Sequence, residues 1–71
     1  MLAIQKDSKW LDYIGNICIV LKVPEDQEDL TNMIQYQVEY KRKNKKVISS
    51  ELKNLPMYRF LGDMKPLNEQ L

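Results

Sequence analysis

One short segment constrains the fold of this chain more than any other feature. Between residues 34 and 41, the apolar side chains of Ile34, Tyr36, Val38 and Tyr40 alternate with polar ones. Successive side chains of a strand point to opposite faces, so this pattern predicts a strand with one buried and one exposed face. Half-buried strands of this kind are typical of antiparallel sheets. We therefore expect a mainly β domain.

A second apolar segment, residues 14–23, precedes this strand. It is rich in β-branched residues and is bounded by Gly15 and Pro24. Such a run is typical of a strand that is covered on both faces. Cys18 lies within it and is expected to be a small buried hydrophobe, since an activated thiol needs a neighbour such as His and the chain has none.

The rest of the chain predicts shorter elements. A strand is expected at residues 2–4, followed by a loop through Trp10, and a basic hairpin tip at 41–46 joins the strand at 34–41 to another at 47–49. A helical or 3₁₀ turn is expected over 49–55, because a Ser can cap it and Pro56 would stop it. Residues 57–61 are expected to form the last strand. Tyr36 and Phe60 are expected in the core.

A helical interpretation of the first half competes with this one. Trp10, Ile14, Ile17, Cys18 and Leu21 also follow helical spacing, with an upstream Ser as a possible cap. β-branched residues lose side-chain freedom in a helix, and a glycine weakens a helix interior, so strands are favoured. A small, mostly helical or α+β domain is the alternative.

Size and composition limit the chemistry. The chain has 71 residues, one Cys and no His, which is enough for one domain at residues 1–63 with a frayed polar tail at 64–71. Without His, the Ser-His-Asp and Cys-His forms of catalysis are absent, and the acidic residues lack the spacing of a Ca²⁺ loop. The two glycines are too far apart for a phosphate-binding loop. No enzymatic activity, metal or cofactor is predicted.

The order of these elements resembles small SH3-like β-barrels. The resemblance rests on residues 13–17, which are faintly similar to the glycine-containing turn of KOW-type domains, on the hairpin 36–48, and on residues 47–52. Small SH3-like proteins of bacterial prophages are also similar. The resemblance implies a five-stranded barrel with a 3₁₀ or helical turn before the last strand. The aromatic segment that binds proline-rich peptides in signalling SH3 domains is missing, as are the second glycine and the basic residues of a full KOW motif.

Charge is distributed unevenly along the chain. The net charge is +1, but residues 1–40 carry three basic and seven acidic residues, whereas residues 41–71 carry eight basic and three acidic ones. Two clusters cause this asymmetry. The acidic cluster comprises Glu25, Asp26, Glu28 and Asp29. The basic cluster comprises Lys41, Arg42, Lys43, Lys45 and Lys46. Both clusters fit solvated loops, and both are candidate contacts for a charged partner.

The first functional hypothesis is a protein-binding module that acts on a larger protein partner. Exposed Trp, Tyr and Arg residues dominate binding energy at interfaces. The candidate contact residues are Trp10, Tyr13, Glu25, Asp26, Glu28, Asp29, Tyr58 and Arg59. Because the acidic cluster could meet a basic surface that normally holds nucleic acid, the chain could be an inhibitor or modulator of a host complex, encoded by a phage or other mobile element.

The alternative hypothesis is nucleic-acid binding by the basic cluster. Small barrels bind single strands with a basic groove and stacking aromatics, and Tyr36 and Tyr40 lie just before the cluster. The low net charge argues against it. The longest apolar run, residues 17–21, is far shorter than the roughly 20 residues that a membrane helix needs. With no signal peptide visible, a cytoplasmic location without membrane contact is expected.

Overall fold

The computed structural model describes residues 4–41 and 47–67. Its elements are β1 (Lys9–Leu11), β2 (Ile17–Lys22), β3 (Met33–Lys41), β4 (Val47–Pro56), α1 (Met57–Asp63) and β5 (Lys65–Pro66). The strands form one open antiparallel sheet in the order β4-β3-β2-β1-β5. The prediction of a mainly β domain is confirmed, and the mostly helical alternative is wrong. Within the described residues the five strands make an open sheet with one short helix on one face; they do not close into a barrel, and the arrangement also fits the α+β alternative.

The two apolar segments that predicted strands form the centre of this sheet. β2 pairs with β3 so that Cys18 lies opposite Val38 and Val20 opposite Tyr36. All four of these side chains are buried on the face that α1 covers. Ile17 and Ile19, on the other face of β2, are only partly buried. The alternation in β3 therefore places its apolar residues as predicted, whereas β2 is fully covered on one face only.

The core lies between the sheet and α1. Phe60 of the helix is fully buried and packs edge-on against Trp10 and Tyr36, with ring centroids 5.0 and 5.4 Å away. Edge-to-face pairs of this kind add stabilisation beyond the apolar area that they bury. Tyr36 and Phe60 are thus confirmed as core residues. The buried hydrophobic residues are Ile4, Trp10, Cys18, Val20, Ile34, Tyr36, Val38, Met57, Phe60 and Met64.

Two elements in the second half differ from the prediction. Residues 49–55 belong to the ten-residue strand β4 rather than to a helical turn. Pairing with β3 decides this, because it satisfies the backbone and places Leu55 opposite the buried Ile34. Residues 57–61 lie in α1 rather than in a strand. The apolar residues Met57, Phe60, Leu61 and Met64 recur at helical spacing, and Pro56 precedes the helix instead of ending one.

The chain termini also differ from the prediction. Residues 9–11 form β1 where a loop through Trp10 was expected. Ile4 is buried but lies outside any strand; the Gln27 side chain accepts from its N–H at 2.9 Å and donates to its carbonyl at 2.8 Å. At the other end, Met64 is buried and β5 pairs with β1, so residues 64–67 of the expected tail belong to the fold. Residues 1–3 and 68–71 lie outside the described part of the chain.

In the described residues, no helix has both the length and the hydrophobicity to span a bilayer.

Candidate functional site

The turn between β1 and β2 presents two large apolar side chains to solvent. The Asp12 carboxylate accepts hydrogen bonds from the backbone N–H groups of Ile14, Gly15 and Asn16 at 3.0, 2.8 and 2.8 Å. The Asn16 side-chain amide donates to the same carboxylate at 3.2 Å. Gly15 has a φ of +100°, which side-chain-bearing residues rarely adopt. The turn is thereby held in one shape, with Tyr13 86% exposed and Ile14 69% exposed.

A cleft of about 500 Å³ lies beside this turn, on the helix-covered face of the sheet. It exists because the seven-residue helix α1 is too short to cover the whole face. Its walls come from the turn, from α1, from the second half of β3 and from residues 52–55 of β4. The residues that give it its chemical character are Tyr13, Asn16, Tyr40, Lys53, Arg59 and Asp63.

Charges of both signs line or border the cleft. Arg59 Nε lies 3.5 Å from Asp63 Oδ2, and Lys53 Nζ lies 4.0 Å from Glu51 Oε1. The Tyr40 hydroxyl donates to Glu51 Oε1 at 2.9 Å, and this hydrogen bond is the main reason why the pKa of Tyr40 is raised. Both ion pairs are solvent-exposed, so they contribute little to stability and can exchange for contacts with a partner.

The acidic cluster, Glu25, Asp26, Glu28 and Asp29, lies in the loop between β2 and β3, and all four residues are exposed. The loop has internal hydrogen bonds. Asp26 accepts from the Glu28 N–H at 2.9 Å, and Asp29 accepts from the Thr31 N–H at 3.1 Å and from the Thr31 hydroxyl at 2.6 Å. The Thr31 hydroxyl holds the pKa of Asp29 below its usual value. In the described part of the chain, none of these four carboxylates lies in an ion pair.

The predicted contact residues fall into two groups on either side of α1. Tyr13 and Arg59 both line the cleft. Tyr58 is exposed on the other side, where its backbone N–H donates to the Leu30 carbonyl of the loop that carries the acidic cluster. Tyr58 and the acidic cluster therefore lie outside the cleft, and the Tyr58 backbone adjoins the loop that carries the cluster.

Trp10 was predicted to be a contact residue, but it is buried in the structure. It is 4% exposed and packs against Phe60, while its indole N–H donates to the Ser8 hydroxyl at 2.9 Å. The prediction failed because residues 9–11 pair with β2 instead of forming a loop, and this pairing turns the Trp10 ring toward the core.

The basic cluster cannot be placed in the same way. Arg42, Lys43, Lys45 and Lys46 lie outside the described residues, and Lys41 is described only as the last residue of β3. Tyr36, which was expected to interleave with this cluster, is buried against Phe60. It is therefore not available for stacking on a base.

Cys18 is confirmed as a small buried hydrophobe. Its side chain is fully buried, and burial is the main cause that raises the pKa of the thiol from 9.0 to about 11. A thiol with this pKa stays protonated near neutral pH and is a poor nucleophile. Across residues 4–41 and 47–67, no three acidic, Cys or His side chains lie close enough to hold a metal ion.

The sequence analysis did not identify four residues of the cleft, namely Ile14, Asn16, Lys53 and Asp63. Asp12 followed three residues later by Gly15 is a turn signal that could have placed Ile14 at an exposed tip. Lys53 and Asp63 reach the cleft only through the pairing of β4 and the position of α1, which local sequence does not specify.

Comparison with known proteins gave no match: no family model, no curated protein and no solved structure is significantly similar to this chain.

Proposed function

We propose that this chain is a non-enzymatic protein-binding module whose contact surface is the β1–β2 turn and the cleft beside it. The observation that carries the proposal is the exposure of Tyr13 and Ile14 on a turn that Asp12 holds in one conformation. Large apolar side chains at an interface centre supply much of its binding energy. A turn that is already ordered loses little further conformational entropy when it binds.

The cleft adds polar recognition next to this apolar tip. Arg59 and Lys53 can donate hydrogen bonds to carbonyl or carboxylate groups, and Asp63 can accept them. A partner side chain or loop that enters the cleft would contact these groups and Tyr13 at the same time. This combination fits the surface of a folded protein.

The acidic cluster indicates that the proposed partner carries a positively charged surface. Four exposed carboxylates in one loop attract a basic surface and raise the rate of encounter with it. The proposal therefore includes a role for this chain as a modulator of a larger complex that has such a basic surface. By covering that surface, the chain would alter what the complex binds.

The SH3-like resemblance is also part of the proposal. Two observations support it: five strands form one sheet, and the helix α1 lies immediately before the last strand. The resemblance implies no ligand for this chain, so the contact surface is argued from the turn and the cleft alone.

The test is affinity capture from a bacterial lysate with the tagged chain, with and without nuclease. We expect a stoichiometric protein band that survives nuclease and is lost with the double variant Tyr13→Ala, Ile14→Ala. The matched control is Met33→Ala, which removes an exposed apolar side chain from β3, away from the turn and the cleft. Circular dichroism checks that all variants keep the fold.

Two results would contradict this assignment. A band that persists with the double variant would exclude the turn as the contact surface. Material that disappears with nuclease would favour the nucleic-acid alternative, and the basic cluster would then be the first target for charge reversal, with affinity expected to fall steeply as salt is raised.

A further inference from the structure

The strand β4 forms one edge of the sheet and is unusually long for such a position. It spans Val47–Pro56, and β3 is its only neighbour among the strands of the described residues. Residues 49–54 are all exposed. A long edge strand is a template for pairing with another strand, and proteins normally blunt such edges with charges, bulges or prolines.

The direction of the backbone groups along β4 follows from one hydrogen bond. The Met57 N–H donates to the Asn32 carbonyl at 2.9 Å, and the register continues without interruption from the Met33–Pro56 pair to the Tyr40–Ser49 pair. Hydrogen-bonded and non-hydrogen-bonded pairs alternate in an antiparallel ladder. The residues of β4 whose backbone groups hydrogen-bond to β3 are therefore Leu55, Lys53, Glu51 and Ser49.

The residues between them present their backbone groups to the open edge. Ser50, Leu52 and Asn54 each direct one N–H and one carbonyl away from β3. This part of the edge contains no proline and no bulge, since the nearest bulge lies between Tyr40 and Lys41 of β3 and Pro56 ends the strand. The backbone of residues 50–54 is thus free to accept another strand.

We propose that this edge binds β4 of a second copy of the chain, antiparallel, with Leu52 on the two-fold axis. In this register Leu52 faces Leu52 of the second copy, and Ser50 faces Asn54. Each of these pairs exchanges two backbone hydrogen bonds, which makes one continuous sheet across the two copies. The proposal does not rest on the function proposed for the β1–β2 turn and its cleft, although Lys53 lines that cleft as well.

Charge complementarity favours this register over the two neighbouring ones. With Leu52 on the axis, Glu51 lies directly opposite Lys53 of the second copy, and the same pair recurs on the other side of the axis. These positions are non-hydrogen-bonded pairs, where facing side chains come closest. Shifting the axis to residue 51 or 53 would place Glu51 against Glu51 or Lys53 against Lys53, which is repulsive.

Leu52 gives the same register an apolar contact. Its side chain lies on the face of the sheet that α1 does not cover, and it is 59% exposed in the single chain. Pairing about the axis brings two such side chains together and removes apolar surface from water. The Glu51–Lys53 pairs lie on the opposite face, so both faces of the junction are complementary.

The experiment measures the mass of the full chain in solution by sedimentation velocity over a range of micromolar concentrations. We expect a concentration-dependent species of twice the 8.5 kDa chain mass. Either single reversal, Glu51→Lys or Lys53→Glu, puts like charges at both facing positions and should weaken the dimer by about tenfold or more. An equimolar mixture of the two reversed chains restores opposite charges and should form the mixed dimer.

A backbone variant tests the edge independently. Leu52→Pro removes an N–H that points away from β3, so the fold should survive while the dimer is lost. If that variant does not fold, the charge-reversed chains still decide the matter. Amide exchange gives a second readout: Ser50, Leu52 and Asn54 should be protected in the wild type at high concentration and unprotected in Lys53→Glu.

Three outcomes would overturn the proposal. If the wild-type chain stays at the monomer mass at every concentration, β4 does not pair with a second copy, and the edge binds a strand of another protein or no strand. A dimer that is unaffected by the reversals would lie elsewhere on the surface. Failure of the mixture to associate, while the wild type does, would exclude this register.

Discussion

At the scale of single residues, the most informative position is Asp12. Its carboxylate accepts three backbone hydrogen bonds and one side-chain hydrogen bond within the β1–β2 turn. A short polar side chain that bonds to backbone N–H groups further along the chain is a common way to stabilise a tight turn. The exposed residues Tyr13 and Ile14 owe their fixed positions to this interaction.

The two glycines of the chain allow a second prediction about single residues, in which the same substitution is expected to have opposite effects on stability. Neither would bring an added Cβ within 4 Å of another part of the molecule, but Gly15 has a φ of +100° and Gly62 lies in α1. We expect Gly15→Ala to lower the free energy of unfolding by about 1–2 kcal/mol, because alanine is strained at that φ. Gly62→Ala should raise it by roughly 0.5–1 kcal/mol through helix propensity.

Urea denaturation followed by circular dichroism measures both effects. The pair acts as its own control, because both substitutions add one methyl group where space is open. Equal effects of the two substitutions, in either direction, would show that backbone conformation at Gly15 does not limit stability.

At the scale of elements, α1 is what closes the core. Its residues Met57 and Phe60 are buried against the sheet. Met64 follows the helix directly, and its backbone N–H donates to the Phe60 carbonyl at 2.9 Å. The helix is too short to be stable by itself, so packing against the sheet must hold it in place. Its position also determines where the cleft lies.

Two substitutions in α1 should therefore have very different effects on the free energy of unfolding. Phe60→Ala removes both edge-on aromatic contacts and leaves a cavity, so we expect a loss of about 3–5 kcal/mol in the free energy of unfolding. Such a loss is comparable to the total stability of many small domains. Tyr58→Ala, two residues earlier on the exposed side, should change stability by less than about 0.5 kcal/mol.

Thermal and urea unfolding, with Trp10 fluorescence as the probe, compare these two variants. A small effect of Phe60→Ala would mean that the sheet is stable without the helix. A large effect of Tyr58→Ala would place that residue in a structural rather than a surface role.

At the scale of the whole molecule, stability is linked to pH through Cys18. Its Sγ lies 3.9 Å from Met64 Sδ between the sheet and the segment that follows α1, so it meets solvent only when the fold opens. The pKa of this thiol is about 11 in the folded chain, against an ordinary value of 9.0. The unfolded chain therefore loses this proton at lower pH than the folded chain does.

The sign of the effect follows from linkage. Well below pH 9 the thiol is protonated in both states, and the free energy of unfolding does not change through this group. As pH rises from 9 to about 11, only the unfolded state ionises, so stability falls. Cys18→Ala removes the group while other titrating residues stay the same. The difference in free energy of unfolding between wild type and variant should be constant well below pH 9. Above pH 9 the wild type should lose stability relative to the variant.

Urea unfolding of both chains at a series of pH values checks this prediction. A difference that stays constant up to pH 11 would show that the thiol is not protected by the fold.

The sequence by itself determined the centre of the sheet. The alternation at Ile34, Tyr36, Val38 and Tyr40 identified β3, and the β-branched run before it identified β2, because burial on one face imposes a period of two residues. The exposed acidic cluster and the buried thiol were also correct, since polarity and apolar surroundings act locally. Tyr13 was identified as a candidate contact, although the reason for its exposure was not.

Only the tertiary structure decided the elements whose local signals are weak. Residues 49–55 and 57–61 have sequences compatible with either helix or strand, and the choice depended on pairing with β3 and on packing of Phe60 against Trp10 and Tyr36. Trp10 became a core residue because β1 pairs with β2. The cleft combines groups from the turn, β4 and α1, and contacts between distant segments are set by the free energy of the whole packed chain rather than by any short stretch of it.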